Sequence, residues 1–404
     1  MNPHILFDKS VFQATPVSAF VSVDRYLEMV IPPILIREIG GDLAAASGKR
    51  KEKDQSVFVE KLAHRPGVRA FLAHHAFLIH HDLLGRPVAM DGRVPSMMEP
   101  VRMPDGTKGL RVAETPEEYA INRWRQHDFT RLDYLWAERW QRVQRSIRSG
   151  FYSRTLHKSG IDIEQAKSIE QLDQQIENVL TNPRAQARLL NIIFTDFAVP
   201  MIQQELAIKR IQSKKPRLLL REFAPYAAFC LRANLLLGFA GGLLTRGHPH
   251  DLRDLEYCYY LPFCEVFAST DKLHRKLAPL LIRDDQMIVG SELTDDLRTL
   301  TDEWTKLTPK EKMEFARGIR NEPPQRGGSI LRQIWERYRG PDVPRTQPEN
   351  PPPDSFFKEL IRKSYGSEDI LDDIDVEKVA FLTQKVEMTK ARARELYPGF
   401  NFDE

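Results

Sequence analysis

The chain has 404 residues, of which 42% are hydrophobic and 28% are charged, and its formal net charge is +3. This length allows two or three domains with a sizeable core, and the composition is that of an ordinary soluble protein. Because the net charge is small, it gives no indication of which kind of partner the protein binds. The three cysteines, Cys230, Cys258 and Cys264, have no paired spacing. A disulfide framework and a cysteine-based zinc site are therefore not expected, and a reducing cytoplasm is the simplest compartment.

One apolar segment, Phe223 to Leu244, approaches the roughly 20 residues that a membrane span requires. Arg232 and Asn234 fall at its centre, where a charge would be costly in a bilayer. We therefore predict a buried helix and no membrane partner. The N-terminal sequence MNPHILFDKS has no basic region followed by an apolar run, so it does not resemble a secretory signal.

Two short apolar runs near the N-terminus predict buried strands. The first, His4 to Phe7, ends in Asp8; the second, Val30-Ile31, follows a predicted helix over Ala19 to Met29. In a parallel α/β sheet, ligands bind at the carboxyl ends of the strands. Asp8 is therefore a candidate site residue, and Ser10 lies beside it.

A helix is predicted to begin near Pro33, because proline fits the first turn of a helix. Glu38 lies within two turns of this start, and Asp42 follows four residues later on the same face. Gly40-Gly41 weakens the helix but permits close approach of another element.

The middle of the chain is predicted to be a mostly helical insertion, because the pattern of strands ending in acids resumes only near Arg217. Its expected elements are a helix over residues 58–85, a loop over 86–118, a long helix from Pro116 to Ser149, and helices over Asp162–Thr181 and Pro183–Ser213. Five histidines lie close together within it: His64, His74, His75, His80 and His81. Their spacing matches no zinc motif, so we interpret them as residues of a helix surface and a loop.

The segment from Asp251 to His274 reads as a helix, a turn, and a buried strand over Cys264 to Ser269, with Asp271 just past the strand. Asp251 and Asp254 open the helix, and Asp251 is a good N-cap type. Asp271 is also a plausible N-cap for the helix that follows. His274 is expected to be a satisfied helix histidine, with phosphate contact as the alternative.

Beyond Leu280 the chain becomes polar, with predicted helices over Thr301–Arg317 and Ile330–Arg339. A Pro-rich linker, Gly340 to Asp354, precedes one or two helical segments within Ser355–Tyr397.

Clustered carboxylates bind divalent metal ions, and Mg²⁺ in particular prefers oxygen ligands. The stretches ILFDKS, VIPPILIREIGGDL and DLRDLEYCYYLPFCEVFASTD resemble the acid-bearing segments of PIN-domain nucleases, in the same order. The resemblance covers roughly residues 1–45 and 216–282. It implies a compact parallel sheet flanked by helices, interrupted here by an unusually large helical insertion.

The resemblance also implies a set of metal ligands: Asp8, Glu38, Asp254 and Asp271 would hold one or two Mg²⁺ or Mn²⁺ ions. Asp251, Thr270, Ser10 and Asp42 would be accessory residues. The implied activity is metal-dependent phosphodiester hydrolysis, with RNA favoured over DNA by the family alone. The implied domains are core segments 1–45 and 216–285, the insertion 46–215, a helical extension 286–339, and the tail 340–404.

Arginines alternate with aromatic residues between Arg123 and Lys158. Arg123, Arg131, Arg139 and Arg142 are candidates for phosphate contacts, since arginines neutralise phosphates and aromatic rings stack on unpaired bases. The alternative is a helix with a buried aromatic stripe, which Trp136 and Trp140 fit.

Two further functions stay open. One is a non-catalytic scaffold on a PIN-like core that binds nucleic acid or protein, and the other is a structure-specific DNA nuclease. A homo-oligomer or a regulatory protein partner is compatible with either.

Overall fold

A computed structural model describes residues 2–49, 59, 62, 70–95, 98–102, 108–112, 116–126, 128–146, 159–161, 166–214, 218–244, 256–308 and 322–338. The predicted linker and tail after residue 339 lie outside these residues, and so do Asp251 and Asp254.

The described strands form a five-stranded parallel sheet and a separate two-stranded hairpin. In chain order they are β1 (His4–Phe7), β2 (Glu28–Ile31), β3 (Ala70–Phe71), β4 (Met98–Arg102), β5 (Lys108–Val112), β6 (Val266–Ala268) and β7 (Met287–Val289). The parallel sheet has the order β3-β2-β1-β6-β7, and β4 pairs with β5 antiparallel. The expected α/β class with a parallel sheet is confirmed at this level.

Helices flank the sheet and contain most of the residues that the structure describes. They are α1 (Lys9–Ala14), α2 (Phe20–Tyr26), α3 (Pro33–Lys49), α4 (His75–Leu83), α5 (Pro116–Trp124), α6 (Arg131–Ser146), α7 (Ile169–Leu180), α8 (Gln186–Asp196), α9 (Met201–Ser213), α10 (Leu220–Phe223), α11 (Pro225–Leu244), α12 (Lys272–Leu281), α13 (Ser291–Lys306) and α14 (Ile330–Tyr338).

Strand β1 lies at the centre of the sheet, between β2 and β6. Its residue Ile5 is level with Met29 on one side and with Val266 on the other. Ile5, Leu6 and Phe7 are all completely buried. A central parallel strand is covered on both faces, which explains why its sequence is a continuous apolar run rather than an alternating one.

The prediction of unbroken helix over residues 58–85 is wrong, because β3 lies inside that range and pairs with β2. The prediction of a loop over residues 86–118 is also wrong, because it contains the β4–β5 hairpin. Strand β7, in the part of the chain called polar, was likewise not predicted. Strands β3 and β7 have two and three residues, which is too short for a two-residue period to be recognised.

Two long predicted helices are each divided in the structure. The helix expected from Pro116 to Ser149 breaks between Trp124 and Arg131. There the Asp133 carboxylate accepts a hydrogen bond from the Thr130 N–H at 2.7 Å and starts a new helix. The helix expected over Pro183–Ser213 breaks near Pro200, which cannot donate a backbone hydrogen bond. The helix expected over Thr301–Arg317 begins earlier, at Ser291, and ends at Lys306, while residues 309–317 lie outside the described part of the chain.

The apolar segment forms helix α11, and its prediction as a buried helix is confirmed. Tyr226, Cys230 and Leu235 on this helix are fully buried. Its central polar residues have partners: Arg232 pairs with Asp173 at 2.9 Å and Asn234 donates to Asp196 at 2.8 Å. Among the described residues, the structure contains no helix with the length and apolarity that crossing a membrane requires.

Helices α3 and α6 approach closely at Gly40 and Gly41. A Cβ atom on Gly41 would lie 2.8 Å from Cδ1 of Trp140, and one on Gly40 would lie 3.2 Å from Cζ3 of Trp136. Any larger side chain would push the indole rings away. The expectation that this glycine pair permits close approach is confirmed, and it fixes the helix that carries Glu38.

Candidate functional site

Asp8 occupies the carboxyl end of the central strand β1 and is also the N-cap of α1. Its Oδ1 atom accepts hydrogen bonds from the Val11 N–H at 2.9 Å and from the Ser10 hydroxyl at 2.7 Å. Its Oδ2 atom accepts from the Ser269 hydroxyl at 2.5 Å, and Nδ1 of His274 lies 3.5 Å away. Asp8 is 3% exposed, so this carboxylate is buried with both of its oxygens already bonded.

The pKa of Asp8 follows from these contacts. Burial raises the pKa of the carboxyl, but the hydrogen bond and charge of His274, with the hydrogen bonds of Ser269 and Val11, outweigh burial. The net effect holds the pKa below its ordinary value, so Asp8 is an anion at neutral pH.

Ser269, at the end of β6, links Asp8 to α12. Its single hydroxyl hydrogen is donated to Asp8, while its Oγ accepts the Asp271 N–H at 3.1 Å. The 2.9 Å contact between this Oγ and Nδ1 of His274 therefore requires that Nδ1 carry the proton. The three side chains form a buried bridge in the order Asp, Ser, His. A catalytic triad places histidine in the middle, so this bridge is not one; its contacts join the ends of β1 and β6 to α12.

His274 is completely buried. Its ring packs edge-on against Phe267, with centroids 5.2 Å apart, and against Tyr257, with centroids 5.8 Å apart. The interpretation of His274 as a satisfied helix histidine agrees with this position. Phosphate contact is wrong for this residue, because the ring has no exposure to solvent.

Asp271 is the N-cap of α12, as the sequence allowed. Its Oδ1 atom accepts hydrogen bonds from the N–H groups of Leu273 at 2.6 Å and His274 at 3.1 Å. Its Oδ2 atom makes no hydrogen bond to any residue that the structure describes. Asp271 is half-buried, so this oxygen is the more available of the pair for a ligand.

Ser10 and Thr270 form the solvent-facing cover of the Asp8 cluster. Their hydroxyl oxygens are 2.7 Å apart and both side chains are exposed. The Ser10 hydroxyl is donated to Asp8, so Thr270 is the donor in the contact between them. Ser10 is therefore an exposed residue bonded directly to Oδ1 of the buried Asp8 carboxylate.

Glu38 on α3 reaches the same end of the sheet. Its Oε2 atom accepts a hydrogen bond from the Tyr257 hydroxyl at 2.6 Å, and the Tyr257 ring packs on His274. Asp42 instead pairs with the Lys9 ammonium at 2.8 Å and accepts from Gln13 at 3.0 Å. The Asp42 side chain therefore links α3 to α1 through Lys9 and Gln13.

The predicted acids reach one edge of the sheet but do not form a compact ligand set. Within the described part of the chain, one group of three potential ligands has all its ligand atoms within 4.8 Å of one another, and it contains none of Asp8, Glu38 and Asp271. Asp254 and Asp251 lie outside the described residues, so the complete four-acid set stays a prediction.

That compact group consists of His74, His75 and Glu256. His74 caps α4 just beyond β3, and His75 opens that helix. The interpretation of these histidines as helix surface is wrong for His75, which is 8% exposed and packs its ring on Tyr259 at 4.6 Å. Glu256 lies 3.8 Å from the Arg37 guanidinium.

The group has unusual acid–base properties. Burial, with the charges of Arg37 and His80, lowers the pKa of His74 to about 4. Burial likewise holds the pKa of His75 well below its ordinary value. For Glu256, burial raises the pKa to about 7; Arg37 opposes this shift and Glu38 adds to it. Both rings are therefore neutral at pH 7.

The four candidate arginines differ in what they contact. Arg123 makes a bidentate ion pair with Asp133, with N···O distances of 2.8 and 3.0 Å, and this pair links α5 to α6. Arg131 and Arg139 are exposed on α6, and the Arg142 side chain lies outside the described residues. The buried aromatic stripe was expected to include Trp136, but this ring is 38% exposed and stacks on Trp140.

A comparison of the chain with models of protein families, with curated proteins and with solved structures returns no match.

Proposed function

We propose that the protein is a metal-dependent phosphodiesterase of the PIN type that acts on RNA. The observation that carries the proposal is the position of Asp8 and Asp271 just beyond the adjacent strands β1 and β6, at the edge where the exposed hydroxyls of Ser10 and Thr270 contact each other. Acids at neighbouring ends of parallel strands lie where α/β sheets bind their ligands.

The donor set fits a hard divalent cation. Asp271 offers its outer oxygen, Asp8 offers Oδ1 once Ser10 turns away, and Glu38 with Asp254 would complete the set. A bound Mg²⁺ or Mn²⁺ supplies a hydroxide at neutral pH and neutralises charge on a phosphodiester.

The chain's own residues have distinct parts in this proposal. The Lys9 ammonium, on the first turn beyond Asp8, donates to Asp42 and to the Glu38 carbonyl, and its remaining N–H would reach a phosphate oxygen at this edge. Ser10 and Thr270 orient water above the carboxylates. The exposed Arg131 and Arg139 supply phosphate contacts along α6, with Trp136 as a surface on which a base can stack.

The test is cleavage of labelled single-stranded RNA and DNA by the full-length chain with Mn²⁺, Mg²⁺ or EDTA. We expect cutting that needs metal and that is lost in Asp271→Asn. Asparagine is as good an N-cap as aspartate, so this variant keeps α12 in place. Asp295→Asn changes an exposed acid on α13 that pairs with Arg298, and it should cut like the wild type. Equal cutting by Asp271→Asn and wild type contradicts the proposal.

One observation favours a non-catalytic scaffold as the second candidate: both oxygens of Asp8 are already bonded and buried. A scaffold would bind labelled RNA in a gel-shift assay, equally with or without EDTA, and would cut neither polymer. Cutting of DNA but not RNA would instead support a DNA nuclease.

A further inference from the structure

We propose that His74, His75 and Glu256 form a second metal site, specific for a divalent transition ion such as Zn²⁺. This site lies beyond β3, on the side of the sheet edge away from Asp8 and Asp271. The proposal of a metal here is independent of the proposed nuclease activity.

One carboxylate oxygen of Glu256 lacks a hydrogen bond. Oε2 of Glu256 is inaccessible to solvent and accepts no hydrogen bond among the described residues. The nearest cation is the Arg37 guanidinium, 3.8 Å away, which is too far for a hydrogen bond. Buried polar atoms almost always have hydrogen-bond partners, and an ion held between this oxygen and the two imidazoles would satisfy it.

The potential ligand atoms of His74, His75 and Glu256 are spaced closely enough to share one ion. The three ligand atoms lie within 4.8 Å of one another. Ligands bound to zinc at about 2.0–2.2 Å lie roughly 3–4 Å apart in a tetrahedron. Small side-chain rotations would therefore close the group around an ion, without movement of the backbone.

The ligand types indicate which kind of ion the group would bind. Two imidazole nitrogens and one carboxylate suit zinc and other transition ions, whereas Mg²⁺ prefers oxygen ligands alone. Metal binding requires neutral imidazole and ionised carboxylate.

The surroundings orient one ring. The Tyr260 hydroxyl accepts the His75 backbone N–H at 3.1 Å and lies 3.4 Å from Nδ1 of the same residue. This contact engages Nδ1 and leaves Nε2 of His75 for the ion, as second-layer partners do for zinc-bound histidines. His74 is the weaker ligand, because its Nδ1 accepts the Ala76 N–H at 3.2 Å and would give up that bond.

One cationic group competes with the ion. Arg37 faces Glu256 and raises the local positive potential. A bound ion would displace Arg37 as the partner of Glu256.

The experiment uses metal-stripped, tag-free, full-length protein titrated with Co²⁺, whose visible absorption reports a site of low coordination number. We expect one equivalent to bind and Zn²⁺ to displace it. Glu256→Gln should weaken Co²⁺ binding at least about tenfold, and His74→Gln should weaken it less. His81→Ala, on the outer part of the same helix, should bind like the wild type.

Thermal unfolding with and without Zn²⁺ separates a lost ligand from a lost fold. Excess Zn²⁺ should raise the Tm of the wild type and of His81→Ala but not that of Glu256→Gln, because an ion stabilises only the state that binds it. Glu256→Gln should keep the far-UV circular dichroism of the wild type. If the wild type binds no Co²⁺, or if Glu256→Gln binds it equally, the proposal is wrong.

The nuclease assay is independent of this result. Asp271→Asn should retain full Co²⁺ binding, so loss of cutting without loss of Co²⁺ would separate the two sites.

Discussion

Two clusters of polar side chains lie at the same edge of the parallel sheet, and they differ in how completely they are bonded. Around Asp8, four neighbours from three elements bond or face the two carboxylate oxygens. Around Glu256, an oxygen that is just as inaccessible has no hydrogen-bond partner among the described residues. An acid at a strand end thus identifies an edge, and its hydrogen bonds show how much of the carboxylate the fold already uses.

The largest effect is expected for Asp8→Ala, which tests how much the bonded Asp8 carboxylate stabilises the fold. This change leaves the Val11 N–H and the hydroxyl of Ser269 without their acceptor, and it removes the cap of α1. We expect the free energy of unfolding to fall by about 3 kcal/mol, measured by urea denaturation. Asp8→Asn retains one acceptor oxygen and should lose roughly half as much. A loss below about 1 kcal/mol for Asp8→Ala would mean that the cluster contributes little to the fold.

The pH dependence of stability should have opposite signs at the two clusters. Asp8 has a lowered pKa in the folded state, so its contribution is present above the unfolded value of about 3.8 and is lost as pH falls below it. Glu256 has a pKa raised from 4.5 to about 7, so stability falls as pH rises through that interval and levels off above it.

Variants isolate the two contributions in EDTA-treated protein. Asp8→Asn should flatten the stability curve below pH 4, and Glu256→Gln should flatten it between pH 5 and 7. A single group contributes a slope of at most about 1.4 kcal/mol per pH unit. If Glu256→Gln leaves the slope unchanged over that interval, its pKa is not raised.

The smallest expected effect is that of Tyr257→Phe, which tests whether the clusters are independent. Tyr257 adjoins Glu256 in sequence, yet its hydroxyl donates to Glu38 on the Asp8 side. Its loss should cost about 1 kcal/mol of stability, by urea denaturation, because Glu38 loses one bond. Co²⁺ binding should not change; a parallel loss would show that the clusters act as one site.

The sequence predicted the edge better than it predicted the chemistry there. Continuous apolar runs identified β1 and β2, and the residues that follow them placed Asp8 and Glu38 at the edge. Ser269 and His274 could not be assigned roles in advance, because their contact with Asp8 spans 261 and 266 positions along the chain. No local pattern encodes such a pair.

The histidine group was overlooked for a related reason. A zinc motif is recognised by spacing within one segment, whereas this group joins adjacent residues His74 and His75 to Glu256 from a distant part of the chain. Strand β3, which brings the histidines to the edge, has only two residues and gives no period to detect. An adjacent His-His pair directly before an apolar helix was the available signal.

The position of β1 at the centre of the sheet also constrains how the chain folds. Ile5 pairs with Met29, 24 residues away, on one side, and with Val266, 261 residues away, on the other. Closing the longer loop costs about 2 kcal/mol more in chain entropy than closing the shorter one. During synthesis, β1 and β2 therefore emerge long before β6, and the open edge of β1 exposes unpaired backbone groups. The nascent chain should need a chaperone, or early burial of that edge by its own helices, until residue 266 has left the ribosome.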